Sequence, residues 1–183
     1  ATYTADITLP NMLHAKLLRS NVGHARLVKI KADKARRAPG VRAVVIRDDL
    51  AQLASPVYGY FIKDQPFVAM DKVRYEGDTL AAVAADTEAQ AEAACALIDF
   101  EFERLPDVPN IETALSETSA ELFEDAPMGV VPKYGTGATG TLRPIRNSCY
   151  SFRYETGDKA AFEQCDHIFE DEFRFSRMHH LHL

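Results

Sequence analysis

Two stretches of this sequence have the residue types and spacing of known chemical motifs, and the first is rich in glycine. Residues 135–140 read GTGATG and match G-x-G-x-x-G, in which a glycine turn leads from a strand into a helix whose N-terminus binds pyrophosphate. Pro144 argues against that helix, because proline lacks an N–H and clashes with the carbonyl of the preceding turn. We therefore predict a flexible glycine-rich linker, with dinucleotide binding as the weaker alternative.

The second stretch places three histidines close together, at His179, His180 and His182. Imidazole nitrogens are common zinc ligands, but a structural zinc site needs a complete tetrahedral set. On a strand, His180 and His182 would share one face while His179 would point away, and no Cys or acidic pair nearby completes the set. Metal binding is therefore the weaker interpretation, and the alternatives are a strand that enters a larger domain or the end of a shortened chain.

The other candidate groups form no catalytic arrangement. No serine lies in a G-x-S-x-G elbow, and the carboxylates in turns and on strand faces are expected to be solvated, namely Asp71, Glu76, Asp78, Glu101 and Glu103. Acidic residues that flank a turn glycine commonly accept backbone hydrogen bonds. His14 is expected to be an exposed strand residue, and His24 lies in a loop that leads into a strand. The sequence predicts no catalytic, cofactor-binding or metal-binding residue.

The three cysteines indicate a reducing compartment. Cys95, Cys149 and Cys165 are far apart and odd in number, which argues against a disulfide framework. Their spacing also fits no iron–sulfur cluster, which usually takes four closely spaced thiolates. Cys95 falls on the apolar face of a predicted helix and is expected to be an ordinary core residue.

The composition is that of a soluble globular protein. The chain has 183 residues, of which 46% are hydrophobic, and a formal net charge of -6, so the clustered basic surface of a nucleic-acid-binding protein is not expected. Lys34, Arg36 and Arg37 form the densest basic spot, which is predicted to be the solvated face of a short helix, with a phosphate or partner contact as the alternative. Neither a membrane span nor a signal peptide is visible.

Two successive strand-helix-strand units are predicted in the first part of the chain. Residues 25–31 alternate, with Val28 and Ile30 on one face; Asp33 can cap a short helix, and Pro39-Gly40 ends it before a mostly buried strand at residues 41–46. Residues 79–85 form the next strand, followed by a capping box with Thr87 as N-cap and Gln90 three positions on.

The helix of this second unit has small residues on its buried face. Its predicted core positions are Ala91, Ala94, Cys95 and Ile98, which repeat at helical spacing and allow close approach to a sheet. The strand at residues 99–103 then alternates, with Phe100 and Phe102 facing one way. A further strand is predicted at residues 12–18, with Leu13, Ala15 and Leu17 sharing a face.

The periodic pattern stops after Ser116, and this defines three segments. Residues 1–116 are predicted to be one α+β domain, residues 117–147 a linker without regular structure, and residues 148–183 the beginning of another domain. In the third segment we predict a strand at residues 149–154, a helix that starts at Gly157-Asp158, and a strand at residues 167–175. This segment is too small to fold independently, so its aromatic residues must be buried either against sequence absent from this chain or against the first domain.

Several of these stretches resemble the xanthine dehydrogenase and aldehyde oxidase family of molybdenum hydroxylases. Val73-Arg74-Tyr75-Glu76-Gly77 with Ala81-Ala82-Val83 is similar to a segment of its α/β hammerhead domain. Further similar stretches are His24-Ala25-Arg26, Pro39-Gly40-Val41, Glu103-Arg104-Leu105-Pro106, and Gly157-Asp158 with Phe162 and Asp166. Asp78 departs from the family pattern, in which many relatives carry a neutral polar residue.

This resemblance implies a fold and a function. The fold class is α+β: an α/β hammerhead domain with strand-helix-strand units, then a linker and the first elements of a larger molybdopterin-binding domain. The function would be oxidative hydroxylation of an aldehyde or an aromatic nitrogen heterocycle by a cytoplasmic oxidoreductase, with molybdopterin bound by following sequence.

The resemblance also implies partners. Electrons would pass to [2Fe–2S] clusters and usually to FAD on partner domains or subunits, and this chain would be scaffold rather than catalyst. The alternative is a non-catalytic assembly or interaction module with a hammerhead fold.

Overall fold

The computed structural model describes residues 3, 6–59, 63–124, 138–141, 147–148, 151–154 and 156–175. The strands are β1 (His14–Arg19), β2 (Ala25–Lys31), β3 (Val41–Val45), β4 (Val57–Tyr58), β5 (Gln65–Pro66), β6 (Lys72–Val73), β7 (Thr79–Ala85), β8 (Asp99–Arg104), β9 (Ala138–Thr141) and β10 (Ser151–Tyr154). The α-helices are α1 (Asp33–Arg36), α2 (Arg47–Leu50), α3 (Glu88–Cys95) and α4 (Ile111–Leu115), and a 3₁₀ helix spans Lys159–Gln164.

The two predicted strand-helix-strand units are present, and they are interlocked. β2 and β8 pair in the sheet β6-β2-β8, while β3 and β7 pair in the sheet β1-β7-β3. Each unit therefore contributes one strand to each sheet, and α1 and α3 connect the two sheets. One hydrophobic core joins both sheets and both helices, with Leu27, Leu80, Val73 and Val83 as its largest fully buried side chains. The α+β prediction is confirmed.

Helix α3 begins at the predicted cap. The hydroxyl of Thr87 accepts a hydrogen bond from the backbone N–H of Gln90 at 3.3 Å, and Ala91 and Ala94 are fully buried. The reciprocal half of the predicted capping box is absent from the described structure, since the buried Gln90 Oε1 has no hydrogen-bond partner there. The Gln90 side chain instead lies against Gly40, where φ is 77° and an added Cβ would clash with Oε1. Glycine is therefore required at this helix-to-strand step.

The predicted pairing of Val28 and Ile30 on one face of β2 is wrong. The register with β8 shifts between Leu27 and Lys29, and this β-bulge leaves Val28 49% exposed while Leu27 and Ile30 are buried. Arg47 stabilises the bulge, because its guanidinium donates to the carbonyl oxygens of Leu27 at 2.6 Å and Val28 at 3.3 Å. A bulge inserts one residue and so breaks the simple alternation of faces.

The orientation predicted for β1 also needs correction. The strand begins at His14 rather than at residue 12, and Leu13 and Leu17 are 44% and 45% exposed. His14, expected to be exposed, is half-buried on the opposite face with Lys16. Helix α3 covers that opposite face and places Glu88 in an ion pair with Lys16. The apolar side of β1 therefore points away from the core.

Strand β3 is less buried than its apolar sequence predicts. Val44 and Ile46 are buried, whereas Arg42 and Ala43 are exposed. The reason is its position, since β3 lies at one edge of the sheet β1-β7-β3. On β8 the predicted shared face of Phe100 and Phe102 is confirmed, because their rings lie on one side with centroids 5.2 Å apart.

Two predictions of local structure beyond residue 116 are wrong. The expected unstructured linker contains β9, which pairs with β10 in an antiparallel ladder, and Gly140 of the glycine-rich stretch lies in β9. Residues 167–175 form no strand in the described structure, because a strand needs a neighbouring backbone with which to exchange hydrogen bonds. The predicted helix after Gly157-Asp158 is present as the 3₁₀ helix, with Asp158 as its N-cap.

Candidate docking surfaces

The edge strand β6 anchors the chain that follows α4 through two cationic side chains. Lys72 is 5% exposed, and its ammonium donates to the carbonyl oxygen of Glu121 and forms an ion pair with Glu124, each at 3.0 Å. Arg74 donates from Nε to the carbonyl oxygen of Leu122 at 2.8 Å. Sequence reasoning missed this pair, because no local signal connects residues 72–74 with residues 121–124.

The Arg74 guanidinium also lies 4.8 Å from the centre of the Phe123 ring, a distance at which the cation is attracted to the ring face. Its other nitrogens contact the carbonyl oxygen of Lys72 and the carboxylate of Asp71. Lys72 and Arg74 together hold residues 121–124 along the open edge of the sheet β6-β2-β8. The chain beyond the first domain therefore starts from a defined position.

Asn147 connects the two ends of the segment between residues 122 and 147. Its Oδ1 accepts a hydrogen bond from the backbone N–H of Leu122 at 2.9 Å, and its Nδ2 lies within hydrogen-bond distance of Ala114 O, Ser119 Oγ and Ala120 O. One amide side chain thus connects the end of α4, the turn after it, and the chain that leads to β10. The predicted linker is tied to the first domain at both of its ends.

The sheet β1-β7-β3 has helix α3 on one face and an apolar, partly exposed surface on the other. The residues of this second surface, here called the open face, alternate with the core residues of the three strands. They are Leu13, Ala15, Leu17, Ala43, Val45, Ala82 and Ala84. The sequence predicted that the first three share a face but placed that face inward.

A second uncovered surface is the aromatic segment, defined as residues 168–175. Phe169, Phe173 and Phe175 are 88%, 77% and 92% exposed, and Ile168 is 63% exposed. Arg174 forms an ion pair with Glu112 of α4 at 2.7 Å, so the segment contacts the first domain through charge rather than through its rings. In the described structure these rings are not buried against the first domain, which was one of the two covers that the sequence allowed.

His24 is a buried structural residue of the loop between β1 and β2. Its ring is 3% exposed, and Nδ1 lies 2.7 Å from the carbonyl oxygen of Pro106. A carbonyl oxygen can only accept a hydrogen bond, so Nδ1 carries the proton. His24 therefore joins the entry of β2 to the exit of β8, at the two stretches that resemble the same family.

The other sequence-derived candidates do not assemble into a site. No group of three or more metal-ligating side chains occurs within the described ranges, and His179, His180, His182 and Cys149 lie outside those ranges. Cys165 is exposed, and Cys95 is half-buried rather than fully buried on α3. Lys34 and Arg36 are exposed and pair with Asp99 and Asp49, as expected for a solvated face.

Asp78 is the exception among the carboxylates, because it is buried rather than solvated. It is 6% exposed, and its Oδ2 accepts a hydrogen bond from the backbone N–H of Arg74 at 3.1 Å. Burial raises the pKa of this carboxyl, and the backbone N–H groups of Arg74 and Thr79 oppose the rise only in part. The turn at Gly77, with φ of 91°, directs this side chain inward, as backbone bonding in a tight turn predicts.

Replacing Asp78 by asparagine is therefore expected to stabilise the fold near neutral pH. A carboxyl whose pKa is higher in the folded state favours folding while it is protonated, and this stability is lost as pH rises through the folded-state pKa. An amide at this position would keep an acceptor for Arg74 N–H without the buried charge. Urea denaturation of Asp78→Asn and wild type between about pH 4 and about pH 8 should show a gap that widens with pH. The exposed Glu76→Gln is the control, and a gap independent of pH would contradict the prediction.

None of the helices in the described ranges is long and apolar enough to cross a lipid bilayer.

Residues 1–106 match the family model "Aldehyde oxidase and xanthine dehydrogenase, a/b hammerhead domain". The match ends at Pro106, the residue that accepts the hydrogen bond of His24.

Two curated relatives align with nearly all of the chain. A protein of Bacillus subtilis (strain 168), named as a probable xanthine dehydrogenase subunit, is 34% identical over 99% of this chain and 22% of its own length. The nicotinate dehydrogenase large molybdopterin subunit of Eubacterium barkeri is 35% identical over 100% of this chain and 38% of its own length. The chain therefore spans well under half the length of these relatives.

Two solved structures share the fold. The Cu,Mo-CO dehydrogenase in its carbon monoxide reduced state has a TM-score of 0.64 and 30% identity, covering 74% of this chain and 17% of that chain. Quinoline 2-oxidoreductase from Pseudomonas putida 86 has a TM-score of 0.61 and 35% identity, covering 75% and 18%. With the family model matched over more than half of its residues, the chain belongs to the aldehyde oxidase and xanthine dehydrogenase family and carries its α/β hammerhead domain.

Proposed function

We propose that this chain is the opening, non-catalytic part of the molybdenum-binding subunit of a molybdenum hydroxylase. Residues 1–116 would be the hammerhead domain, residues 117–147 the crossing segment, and residues 148–183 the beginning of the molybdopterin-binding domain. The names of relatives support the subunit assignment, since they include a large molybdopterin subunit and a molybdenum-binding subunit. The chain covers only part of each relative, which supports a non-catalytic role for this part and cofactor binding by the remainder of the subunit.

The side chains described do not fit a molybdopterin. A pterin pyrophosphate needs several free hydrogen-bond donors, whereas the buried polar residues Ser20, His24, Lys72, Asp78 and Ser119 each bond a backbone group of this chain. Metal-ligating side chains form no cluster in the described part of the chain. We therefore assign the cofactor to other residues of the subunit and no chemical step to the residues described.

The observation that carries the proposal is the pair of uncovered apolar surfaces, the open face and the aromatic segment. Contiguous exposed apolar surface is typical of a protein interface, and in a domain that forms part of a larger subunit it marks where the rest of that subunit packs. The anchor formed by Lys72, Arg74 and Asn147 then sets where the crossing segment leaves the hammerhead domain. The role of the crossing segment is to position the cofactor-binding domain.

The reaction proposed for the complete enzyme is oxidative hydroxylation of an aldehyde or an aromatic nitrogen heterocycle in the cytoplasm. Relatives are named as xanthine, nicotinate and carbon monoxide dehydrogenases, which supports an oxidoreductase of this class. Electrons would pass to [2Fe–2S] clusters and usually to FAD on partner domains or subunits. One relative is named as part of a dehydrogenase complex, which supports such partners.

The test is expression of the complete reading frame with its neighbouring subunits. We expect about one molybdenum and one pterin for each subunit, and reduction of an artificial electron acceptor by at least one member of a panel of aldehydes and N-heterocycles. A reading frame that stops at Leu183 would contradict the proposal and favour a non-catalytic interaction module. A complete subunit that carries neither molybdenum nor pterin would contradict it equally.

A further inference from the structure

The central strand β7 has the sequence of a strand that is buried on both faces. Every residue from Leu80 to Ala85 is apolar, which is typical of strands covered on each side. Ala81, Val83 and Ala85 are buried under α3. On the other face Leu80 is fully buried, but Ala82 and Ala84 are only half-buried. The face of β7 that carries Ala82 and Ala84 is therefore only partly covered in the described structure.

The open face has the shape of a trough. Leu17 and Val45 lie on either side of Ala82 in the register, and Ala15 and Ala43 lie on either side of Ala84. Alanine methyl groups thus form the floor along β7. Leu13 and Leu17 rise on the β1 side and Val45 on the β3 side. Charged side chains lie only at the two ends of the described trough: Arg42 and Asp86 neutralise each other in a bidentate pair at one end. At the other end Arg19, the exposed residue of β1 after Leu17, donates to the carbonyl oxygen of Gly77.

The width of the trough suits an α-helix. Neighbouring strands lie about 4.8 Å apart, so Leu17 and Val45, two strands apart, are separated by about 10 Å across Ala82. An α-helix is about 10–12 Å in diameter with its side chains, so it would place one ridge of side chains over the alanine floor while its flanks rest on Leu17 and Val45. A floor of small residues lets such a helix approach closely, as Ala91 and Ala94 let α3 approach the opposite face.

We propose that the open face is filled by an apolar helix from the remainder of the same subunit, lying lengthwise over β7. This inference rests on the function proposed above, because it requires the longer subunit. The length of the relatives supports the occupant, since the chain spans 22% of one and 38% of another. A second copy fits poorly, because two concave alanine floors placed face to face would leave a void, and voids of this kind are destabilising.

The first test measures access to the trough in the complete subunit. Leu17→Cys places a thiol on the trough wall, and Ala93→Cys places one on the exposed side of α3. We expect a small maleimide to label the trough thiol about tenfold or more slowly than the α3 thiol in the native protein, and at equal rates after unfolding. Peptide mass mapping separates these sites from Cys95, Cys149 and Cys165. Equal native rates in a folded subunit would overturn the proposal.

The second test identifies the occupant. A maleimide-benzophenone on the trough thiol, attached while the subunit is briefly opened in urea, is expected to cross-link a peptide beyond Leu183 in the same polypeptide. Cross-links to a second copy or to another polypeptide of the complex would overturn the assignment. Molybdenum content is measured on the same samples. If the trough thiol is protected but the subunit contains no molybdenum, only the proposed function is refuted. If the trough thiol is accessible in molybdenum-loaded protein, only the proposal that a helix fills the open face is refuted.

Discussion

Replacing Phe169, Phe173 and Phe175 by alanine is expected to have opposite effects on the complete subunit and on the 183-residue chain. In the 183-residue chain these rings are exposed, at 88%, 77% and 92%, so their removal should reduce self-association. In the complete subunit we expect the rings to be buried, and truncation of a buried phenylalanine costs about 3–5 kcal/mol. The same three changes should therefore reduce self-association of the 183-residue chain and lower the free energy of unfolding of the complete subunit.

Two measurements check this prediction. Light scattering against concentration reports self-association of the 183-residue chain, and thermal unfolding together with molybdenum content reports the condition of the complete subunit. The double variant Glu170→Ser, Asp171→Ser changes exposed residues of the same segment and serves as the control. If the complete subunit unfolds at an unchanged temperature with all three rings removed, the aromatic segment does not belong to the core of a following domain.

Replacing Asn147 by alanine is expected to lower the free energy of unfolding by about 1–3 kcal/mol, because it leaves partly buried backbone groups without partners. The Leu122 N–H loses its acceptor, and the carbonyl oxygens of Ala114 and Ala120 lose a donor. Amide hydrogen exchange should be faster around residues 114–122 than in β7, since the loss is local.

Asn147→Asp is the sharper variant. The carboxylate keeps the acceptor for Leu122 N–H but has no hydrogen for the three oxygen acceptors around Nδ2, so it should destabilise more than alanine at neutral pH. Protonation restores one donor, and the deficit should shrink as pH falls. Asn21, an exposed residue, provides the control in Asn21→Asp. A variant at position 147 with wild-type stability and exchange would show that the base of the crossing segment is held by other contacts.

The docking surfaces were only partly visible in the sequence. The aromatic residues after residue 148 predicted that they must be buried, against absent sequence or against the first domain, because hydrophobicity and segment length are local properties. The open face had a signal as well, in the unbroken apolar run of β7, but its interpretation requires knowing which side α3 covers. The anchor at Lys72 and Arg74 had no signal, since its acceptors are backbone carbonyls about fifty residues away.

Local features of the fold were determined by the sequence alone. β2 and β7 occupy the predicted residues, and Thr87 caps α3 as predicted, because strand periodicity and helix capping depend on neighbours within a few positions. The helix after Asp158 follows the same rule, as does the turn at Gly77. The family resemblance, carried by short stretches such as residues 73–77, was likewise readable without coordinates.

The tertiary structure decided every feature that depends on distant partners. It paired β2 with β8 and β3 with β7 across the two units, because strand partners are chosen by a shared core rather than by order in the chain. It turned the face of β1 with His14 and Lys16 toward helix α3, placed the bulge at Val28 and buried Asp78. Residues 167–175 have strand-like sequence but pair with no other strand in the described ranges. A side chain's burial and a strand's existence are both set by what packs against them, and that information lies far away in the sequence.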